Sequence, residues 1–265
     1  MGKILVVTNR KGGVGKTMTT VSLGASLARH GKNVLIIDAD SQHSLTVSLG
    51  VAEPDKLPVT LASVILDIIA EKEIDPAEGI IVHSEGMALM PANNSLTGIE
   101  IALASQIGRE TVLRRYINEI RHMYDYVLID TAPTLDLLTI NALAAADSVI
   151  IPVAPKFLDA KGLELLLKSI AQIRKHINHN LTISGILLTM VDKRAKITKG
   201  VIDMIEQAYG ESINIFKDCI PHSVRAVEAS TTGKSIFEHD PTGKVAMAYA
   251  SIVAEMLETG VLGVA

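Results

Sequence analysis

The chain has 265 residues, a net charge of −4 and 48% apolar residues, values that suit a folded globular protein. Its one cysteine, Cys219, excludes an internal disulfide and a cysteine-ligated cluster, and we interpret it as a small core hydrophobe. No window approaches the roughly 20 uninterrupted apolar residues of a membrane span, and the first residues lack a signal-peptide pattern, so we expect a cytoplasmic protein. Because the net charge is negative, any binding to nucleic acid requires a local basic patch.

Short β-branched runs alternate with helical patterns along the chain. The predicted strands are Lys3–Thr8, Asn33–Asp38, Gly79–His83 paired with Met87–Pro91, Tyr126–Asp130, Ser148–Val153 and Ser184–Thr189. The predicted helical segments include Thr17–His30, Leu57–Ala70, Ser95–His122 and Gly243–Glu258. The segment Ser95–His122 is long and amphipathic, with Ile99, Leu103, Ile107 and Leu113 at near-helical spacing. Continuous apolar strands separated by helices indicate a parallel sheet covered on both faces. We predict one doubly wound, mostly parallel α/β domain over residues 1–265.

A glycine-rich loop with the sequence NRKGGVGKTMTT lies between the first predicted strand and the first helix. Gly12, Gly13 and Gly15 allow backbone N–H groups to converge on anionic oxygens without obstruction by a Cβ atom. Lys16 can reach the terminal phosphates of a nucleotide, and the Thr17 hydroxyl can bind Mg²⁺. The loop therefore predicts a phosphate-binding site for ATP or ADP at the start of the helix.

The loop departs from the strict pattern G-x-x-x-x-G-K-[ST], because Arg10 stands in place of the first glycine. A second lysine, Lys11, begins the loop instead. The run KGGVGKT is the deviant Walker A form of the phosphate loop, and it predicts a P-loop ATPase.

Three aspartates fall at the ends of predicted strands, where ligands bind in an open α/β sheet. Asp130 closes the run YVLID, which has the Walker B form, and we expect it to hold Mg²⁺. Asp40 is placed to orient or activate the attacking water, and Asp38 to support the metal and the phosphate loop. The division of roles between Asp38 and Asp40 stays open at this stage.

The segments KGGVGKT, IDADSQ and VLIDTAP, in this order and spacing, resemble the ParA/Soj branch of the ParA/MinD partition ATPases. The resemblance continues through LMPANNSLTGIEIAL, GILLTMVDKR and IPHSVRAVEASTTGKSIFEHDP, so it covers essentially the whole chain. Two departures stand out: the loop DxDPQGN of the relatives is DADSQHS here, and Met18 replaces a frequent second threonine. His43 lies in that loop, and we interpret it as a solvated histidine and not as an acid or base.

The resemblance implies an ATP-dependent sandwich homodimer in which Lys11 reaches across the interface to the partner's phosphates. It implies catalytic roles for Lys11, Lys16 and Asp40, and metal-binding roles for Thr17, Asp38 and Asp130. The implied nucleotide-binding residues are Lys11, Gly12, Gly13, Val14, Gly15, Lys16, Thr17, Met18 and Thr19 in the loop, and Met190, Asp192, Pro221, Ser223 and Val224 near the adenine and ribose.

The resemblance also implies partners. A ParB-type centromere-binding protein would stimulate a slow basal hydrolysis, and ATP-bound dimers would bind DNA without sequence preference and associate with the nucleoid. Family likeness together with a cluster of basic residues nominates Lys193, Arg194, Lys196 and Arg225 as contacts to phosphate backbones. The lack of an N-terminal helix-turn-helix extension disfavours sequence-specific operator binding.

Four alternatives are weighed against this interpretation. A MinD-like membrane cycle is disfavoured because the C-terminal EMLETGVLGVA has no Lys or Arg. A nitrogenase iron protein needs paired cluster cysteines, and a metabolic ligase using the same loop has no sequence support. A nucleotide-gated ATPase that positions another cargo, such as a protein cluster, remains open, as does the choice between plasmid and chromosome.

Overall fold

The computed structural model describes residues 1–156, 159–192 and 194–259, and the side chains of residues 159–161 are not described. The strands are β1 Lys3–Val7, β2 Val34–Ala39, β3 Ile81–Val82, β4 Met87–Met90, β5 Tyr126–Thr131, β6 Ser148–Val153 and β7 Thr182–Leu188. The α-helices are α1 Lys16–Arg29, α2 Ser44–Ser48, α3 Leu61–Ile69, α4 Leu96–Ala104, α5 Val112–Ile120, α6 Leu137–Ala145, α7 Asp159–His176, α8 Lys196–Tyr209, α9 Val224–Thr231, α10 Ile236–His239 and α11 Lys244–Glu258. Short 3-10 helices cover Pro54–Lys56, Arg109–Thr111 and Arg121–Met123.

The strands form one seven-stranded sheet in the order β3-β4-β2-β5-β1-β6-β7. Every neighbouring pair is parallel except β3 and β4, which are antiparallel at one edge. Side chains of β1 alternate between two buried clusters, with Ile4 and Val6 in one and Leu5 and Val7 in the other. The sheet is therefore covered on both faces, and the predicted doubly wound α/β fold is confirmed.

The strand register brings functional candidates to one edge of the sheet. Asp38 of β2 is the register partner of Asp130 of β5, and Val7 of β1 is the register partner of the same Asp130. Because these strands are parallel, the loops that follow them leave the sheet side by side. The glycine-rich loop and the loop after Asp38 therefore face a common crevice.

The prediction of a paired set of strands at Gly79–His83 and Met87–Pro91 is confirmed by the antiparallel pair β3–β4. The prediction of one long amphipathic segment over Ser95–His122 is wrong in its middle. Helix α4 ends at Ala104, and Gly108 has φ +70°, a left-handed conformation that interrupts the helix before α5. Ile107, expected on the apolar face, is 97% exposed because it lies in this break.

Two sequence-based predictions concern residues outside the described ranges. Lys193, predicted to contact DNA, lies outside them. Residues 260–265, part of the C-terminal segment whose lack of Lys and Arg disfavours membrane binding, also lie outside them. Among the helices of the described ranges, none is long and apolar enough to cross a membrane. Cys219 is a free thiol, half-buried and packed against the core cluster, as its interpretation as a small hydrophobe predicts.

Candidate functional site

The glycine-rich loop is fixed to the sheet at its first residues. Asn9 is buried, and its Nδ2 donates to the carbonyl of Pro152 in β6 at 2.7 Å. The Oδ1 atom of the same side chain accepts from the backbone N–H of Lys11 at 3.0 Å. Thr189, after β7, donates from Oγ1 to the carbonyl of Val14 at 2.8 Å. The loop is therefore attached to β6 by its own Asn9 side chain and to the end of β7 by the Thr189 hydroxyl.

Two glycines in the loop need the left-handed region, Gly13 with φ +70° and Gly15 with φ +81°. Gly15 is the N-cap of α1, and no side chain caps this helix. A helix start of this kind leaves backbone N–H groups and the positive end of the helix dipole for an anion. A Cβ added at Gly13 would meet no atom within 4 Å, so the loop opens to space that a phosphate could fill.

Lys16 places a buried ammonium group beside this helix start. The residue is 7% exposed, and its Nζ donates to the carbonyl of Lys11 at 3.4 Å. Burial lowers the pKa of Lys16, and the nearby charges of Asp130 and Asp40 oppose that shift. An anionic ligand at the loop would offset the cost of burying this charge.

Thr17, Thr20 and Asp130 form a compact oxygen cluster below the loop. Thr17 Oγ1 donates to Asp130 Oδ2 at 2.7 Å. Thr20 Oγ1 lies 3.1 Å from the carbonyl of Lys16 and 3.3 Å from Asp130 Oδ1. Hydroxyl and carboxylate oxygens are the donors that Mg²⁺ prefers.

Burial raises the pKa of Asp130 to about 7, with a further contribution from the charge of Asp38, while Thr17 and Lys16 act in the opposite direction. A cation bound at this carboxylate would favour its ionised form. Within the described residues, no group of three or more His, Cys, Asp or Glu side chains could hold a metal. The hydroxyl of Thr17 and the carboxylate of Asp130 fit Mg²⁺, which is commonly held by one or two carboxylates together with phosphate oxygens and water.

Asp38 is fully buried and anchors the loop that follows β2. Its Oδ2 accepts from the backbone N–H of Thr46 at 2.8 Å and from the Thr46 hydroxyl at 2.6 Å. Its Oδ1 accepts from the backbone N–H of Asp40 at 3.2 Å. Burial raises the pKa of Asp38 to about 6, against these hydrogen bonds. These contacts assign Asp38 to holding α2 and the Asp40 loop in place, and its role toward a metal stays a prediction.

Asp40 is half-buried at the rim of the crevice. Its Oδ1 accepts from the backbone N–H of Gln42 at 2.9 Å, an interaction within its own loop. His43 follows with φ +41° and places a ring nitrogen 3.2 Å from the carbonyl of Ser41. The ring therefore interacts with the same loop, and the predicted catalytic role of Asp40 stays a prediction.

A cavity of about 490 Å³ extends from the phosphate loop toward α9. Gly15 and Thr17 line one end, and the apolar side chains of Ala226 and Val227 line the other. A volume of this size can accommodate a nucleotide-sized ligand. We name this space the nucleotide cavity; its further lining residues are Met18, Val21, Gln42, Ser44, Val47, Ser48, Thr189, Met190, Ile220, Pro221, His222, Ser223, Ser230, Lys234 and Tyr249.

The residues expected near the adenine and ribose divide between two places. Met190, Pro221 and Ser223 line the nucleotide cavity. Met190 has φ +53°, an uncommon conformation for a residue other than glycine and one that concentrates at functional sites. Asp192 lines an adjoining groove, and Val224 is 66% exposed at the start of α9 and does not line the cavity.

Tyr249 is a cavity residue that sequence reasoning missed. It comes from α11, is fully buried, and its hydroxyl lies 3.0 Å from Thr19 Oγ1. The two residues are 230 positions apart, so no local pattern could have joined them. Thr20 was also missed, although its position one helical turn beyond Lys16 carries a local signal.

Of the predicted DNA-binding residues, Arg194, Lys196 and Arg225 belong to the part of the chain that the structure describes, and all three are exposed. Arg194 lines the adjoining groove together with Lys244 of α11, and the carboxylates of Asp192 and Asp218 line it too. Arg225, on α9, is exposed and pairs with Glu228 at 3.2 Å. Lys196, also exposed, begins α8. The groove holds about 870 Å³, and Lys244 is a basic neighbour that the sequence did not indicate.

Comparison with known proteins places this arrangement among characterised relatives. A family profile described as an AAA domain matches residues 2–183. The sporulation initiation inhibitor protein Soj of Bacillus subtilis is 40% identical over 262 residues, which cover 98% of this chain and 100% of Soj. The chromosome partitioning protein ParA of Myxococcus xanthus is 34% identical over 258 residues, which cover 97% of this chain and 89% of that protein.

One solved structure is similar to this chain in both fold and sequence over the full length of the chain. Cobyrinic acid a,c-diamide synthase from Mycobacterium smegmatis, with a bound ATP analogue and magnesium, superposes with a TM-score of 0.85 at 32% identity. The match covers 100% of this chain and 98% of that one. The likeness therefore includes the sheet edge that carries the glycine-rich loop and the aspartates.

Proposed function

Because the chain belongs to the AAA-domain family of Soj/ParA-type partition ATPases, we propose that it dimerises on ATP, binds DNA without sequence preference and hydrolyses ATP when a ParB-type partner stimulates it. The enzyme is a P-loop ATPase, and its ligands are ATP or ADP with Mg²⁺. The hydrogen bond from Thr17 to Asp130 at the uncapped start of α1 supports the nucleotide part of the proposal, and the identity with Soj and ParA supports the partition part. The protein would act in the cytoplasm and on the nucleoid, without a membrane step.

Each residue of the site has a chemical task in this proposal. The loop amides and Lys16 bind the phosphates, and Thr17 with Asp130 would hold Mg²⁺, which supplies charge neutralisation to the phosphate oxygens. Asp40, at the rim of the crevice, would orient the attacking water. Lys11 would stabilise developing charge on the partner's nucleotide, as an arginine finger does.

DNA binding would follow from the dimer. Two copies of the surface that carries Arg194, Lys196 and Arg225 would present a larger positive area than one copy presents. Contacts of lysine and arginine with phosphates need no base recognition and weaken with salt. Because the net charge of the chain is negative, DNA binding would depend on a local basic surface such as this one.

The test is retention of a random-sequence DNA duplex by the purified protein, with ATP and with ADP, across a salt series. We expect ATP alone to promote salt-sensitive binding, Asp40→Ala to prolong it because hydrolysis is blocked, and Arg194→Ala to abolish it. Lys72→Ala is the matched control, because Lys72 is exposed and pairs with Asp67. If no nucleotide state retains DNA, the ATPase assignment stands and the positioning of another cargo becomes the better hypothesis.

A further inference from the structure

We propose that Glu85, in the turn between β3 and β4, is a positioning residue that holds the α9 wall of the nucleotide cavity in place. The inference rests on the proposed nucleotide function of that cavity. It assigns to Glu85 the task of setting how tightly the nucleoside end of ATP or ADP is bound. The phosphate end lies elsewhere in the cavity and does not depend on this contact.

Helix α9 packs only a small part of its own surface against the core. Of its eight residues, Ala229 alone is buried, and Val227 is 64% exposed although it lines the cavity. Ala226 and Ser230 line the cavity as well. A helix with so small a buried face depends for its position on contacts with neighbouring segments as well as on its own packing.

The segment after α9 is tied to the β3–β4 turn by a two-pronged contact. Glu85 Oε1 accepts from the backbone N–H of Ser235 at 2.7 Å, and Glu85 Oε2 accepts from the Ser235 hydroxyl. Ser235 is 1% exposed and also accepts from Phe237 N–H at the start of α10. A charged acceptor bound to two donors in a half-buried place is a strong contact.

His83 adds a second tie between the same two segments. Its Nε2 lies 3.1 Å from the carbonyl of Gly233, and its Nδ1 accepts from the backbone N–H of Glu85 at 3.2 Å. A neutral imidazole with its proton on Nε2 satisfies both hydrogen bonds. The turn therefore holds the segment at two successive points, Gly233 and Ser235.

The segment that contains Gly233 and Ser235 also contacts the chain just after α2, and α2 forms another wall of the cavity. Gly50 and Gly233 have φ +88° and +71°, and a Cβ added at Gly233 would lie 2.9 Å from Gly50 Cα. Ser44, Val47 and Ser48 of α2 line the cavity. The backbone just after α2 and the backbone just after α9 thus meet at Gly50 and Gly233, and Glu85 holds the α9 side of this contact.

The location of this contact predicts a selective effect. Gly15 and Thr17 line the phosphate end of the cavity, while α9 lines its apolar part. A displaced α9 would loosen the binding of the base and ribose and leave the phosphate loop intact. Binding of Mg²⁺-ADP should therefore depend on Glu85, and binding of Mg²⁺-tripolyphosphate should not.

Two variants break the arrangement in different ways, and each has a matched control. Glu85→Ala removes both acceptors, with the exposed Glu73→Ala as the control for charge. Gly233→Ala forces α2 and α9 apart, with Gly31→Ala as its control, because Gly31 has φ +72° and an added Cβ there meets nothing within 4 Å. Glu85→Gln keeps the side-chain length and one acceptor oxygen but removes the negative charge. It therefore shows whether the contact depends on the charge or only on the hydrogen-bond geometry.

The measurement is calorimetric titration of each full-length variant with Mg²⁺-ADP and with Mg²⁺-tripolyphosphate. We expect the Kd for ADP to rise about tenfold in Glu85→Ala, which loses both hydrogen bonds to Ser235, and in Gly233→Ala, in which the added Cβ collides with Gly50. The Kd for tripolyphosphate should stay within about twofold of wild type, the controls should match wild type, and Glu85→Gln should recover part of the affinity.

The results separate this inference from the proposed function. If the wild-type protein binds Mg²⁺-ADP, and Glu85→Ala and Gly233→Ala bind it with the same Kd as wild type, the proposed role of Glu85 is overturned. The same holds if the variants lose ADP and tripolyphosphate to an equal extent, because the defect is then general. Failure of wild type to bind either ligand would instead overturn the proposed function.

Discussion

Thr17 and Asp130, which are 113 positions apart in the chain, meet through a 2.7 Å hydrogen bond from Thr17 Oγ1 to Asp130 Oδ2. Thr17 lies in the first turn of α1, and Asp130 lies near the end of β5, the strand next to β1. The parallel pairing of these strands is what brings a loop residue and a strand-end carboxylate together. This contact brings together the two oxygen donors expected for Mg²⁺.

The first prediction concerns the Thr17 hydroxyl. Thr17→Val keeps the β-branched shape and removes the oxygen, so it should abolish the gain in ADP affinity that Mg²⁺ provides. The measurement is the ratio of the Kd for ADP in EDTA to the Kd in Mg²⁺, expected to fall to about one. Thr20→Val, which removes a more distant hydroxyl, should retain most of the ratio, and an unchanged ratio in Thr17→Val would contradict the assignment.

The second prediction concerns the stability of the metal-free protein. Burial raises the pKa of Asp130 to about 7, far above its value in an unfolded chain. Between about pH 4 and pH 7 the unfolded state has lost this proton and the folded state keeps it, so the contribution of Asp130 to stability falls as pH rises. Asp130→Asn carries no such proton, and its hydroxyl partners can reorient to its amide.

We therefore expect Asp130→Asn to unfold at a higher temperature than wild type in EDTA, by roughly 5 °C at pH 8 and by less at pH 5. The same variant should lose the affinity for Mg²⁺-ADP. Thermal unfolding followed by circular dichroism at both pH values measures the first effect. A stability difference that is constant with pH, or that grows toward acid, would show that the buried carboxylate is not the cause.

The third prediction concerns Lys244, which lines the same groove as Arg194. If this groove contacts DNA phosphates, Lys244→Ala should weaken binding and reduce the slope of log K against log salt by about one. Asp218→Asn removes a carboxylate from the groove and should strengthen binding. A fluorescence titration of a DNA duplex at several salt concentrations measures both, and equal affinities in the two variants would place the DNA surface elsewhere.

The sequence was sufficient for the features that local pattern encodes. The strand predicted over Asn33–Asp38 from its apolar residues is confirmed by β2, which covers Val34–Ala39 and is buried at every position. The run Lys11–Thr17 was identified by its glycines and lysines, and it forms the end of the loop after β1 and the start of α1. A strand-end aspartate such as Asp130 could be matched to this loop because parallel strands share one edge.

Contacts between polar residues that are far apart in the chain could not be predicted from local sequence patterns. Asn9 meets Pro152, Thr19 meets Tyr249, and Glu85 meets Ser235 only after the sheet order is set. Neither a strand nor a helix pattern states which strands become neighbours. The same limit explains Ile107, whose apolar side chain fitted a helical period although it lies in the break between α4, which ends at Ala104, and α5.

The last prediction uses two helical glycines as a matched pair. A Cβ added at Gly24 of α1 would lie 2.5 Å from Ile36 Cδ1 and 3.2 Å from Met87 Sδ, both in the buried core, whereas one added at Gly98 of α4 would meet nothing within 4 Å. Gly24→Ala should therefore destabilise the fold by about 1–3 kcal/mol through overpacking. Gly98→Ala should stabilise it by about 0.5–1 kcal/mol, because alanine has the higher helix propensity. Urea unfolding of the two variants measures these changes. Shifts of the same sign would mean that α1 does not pack against β2 as closely as the structure shows.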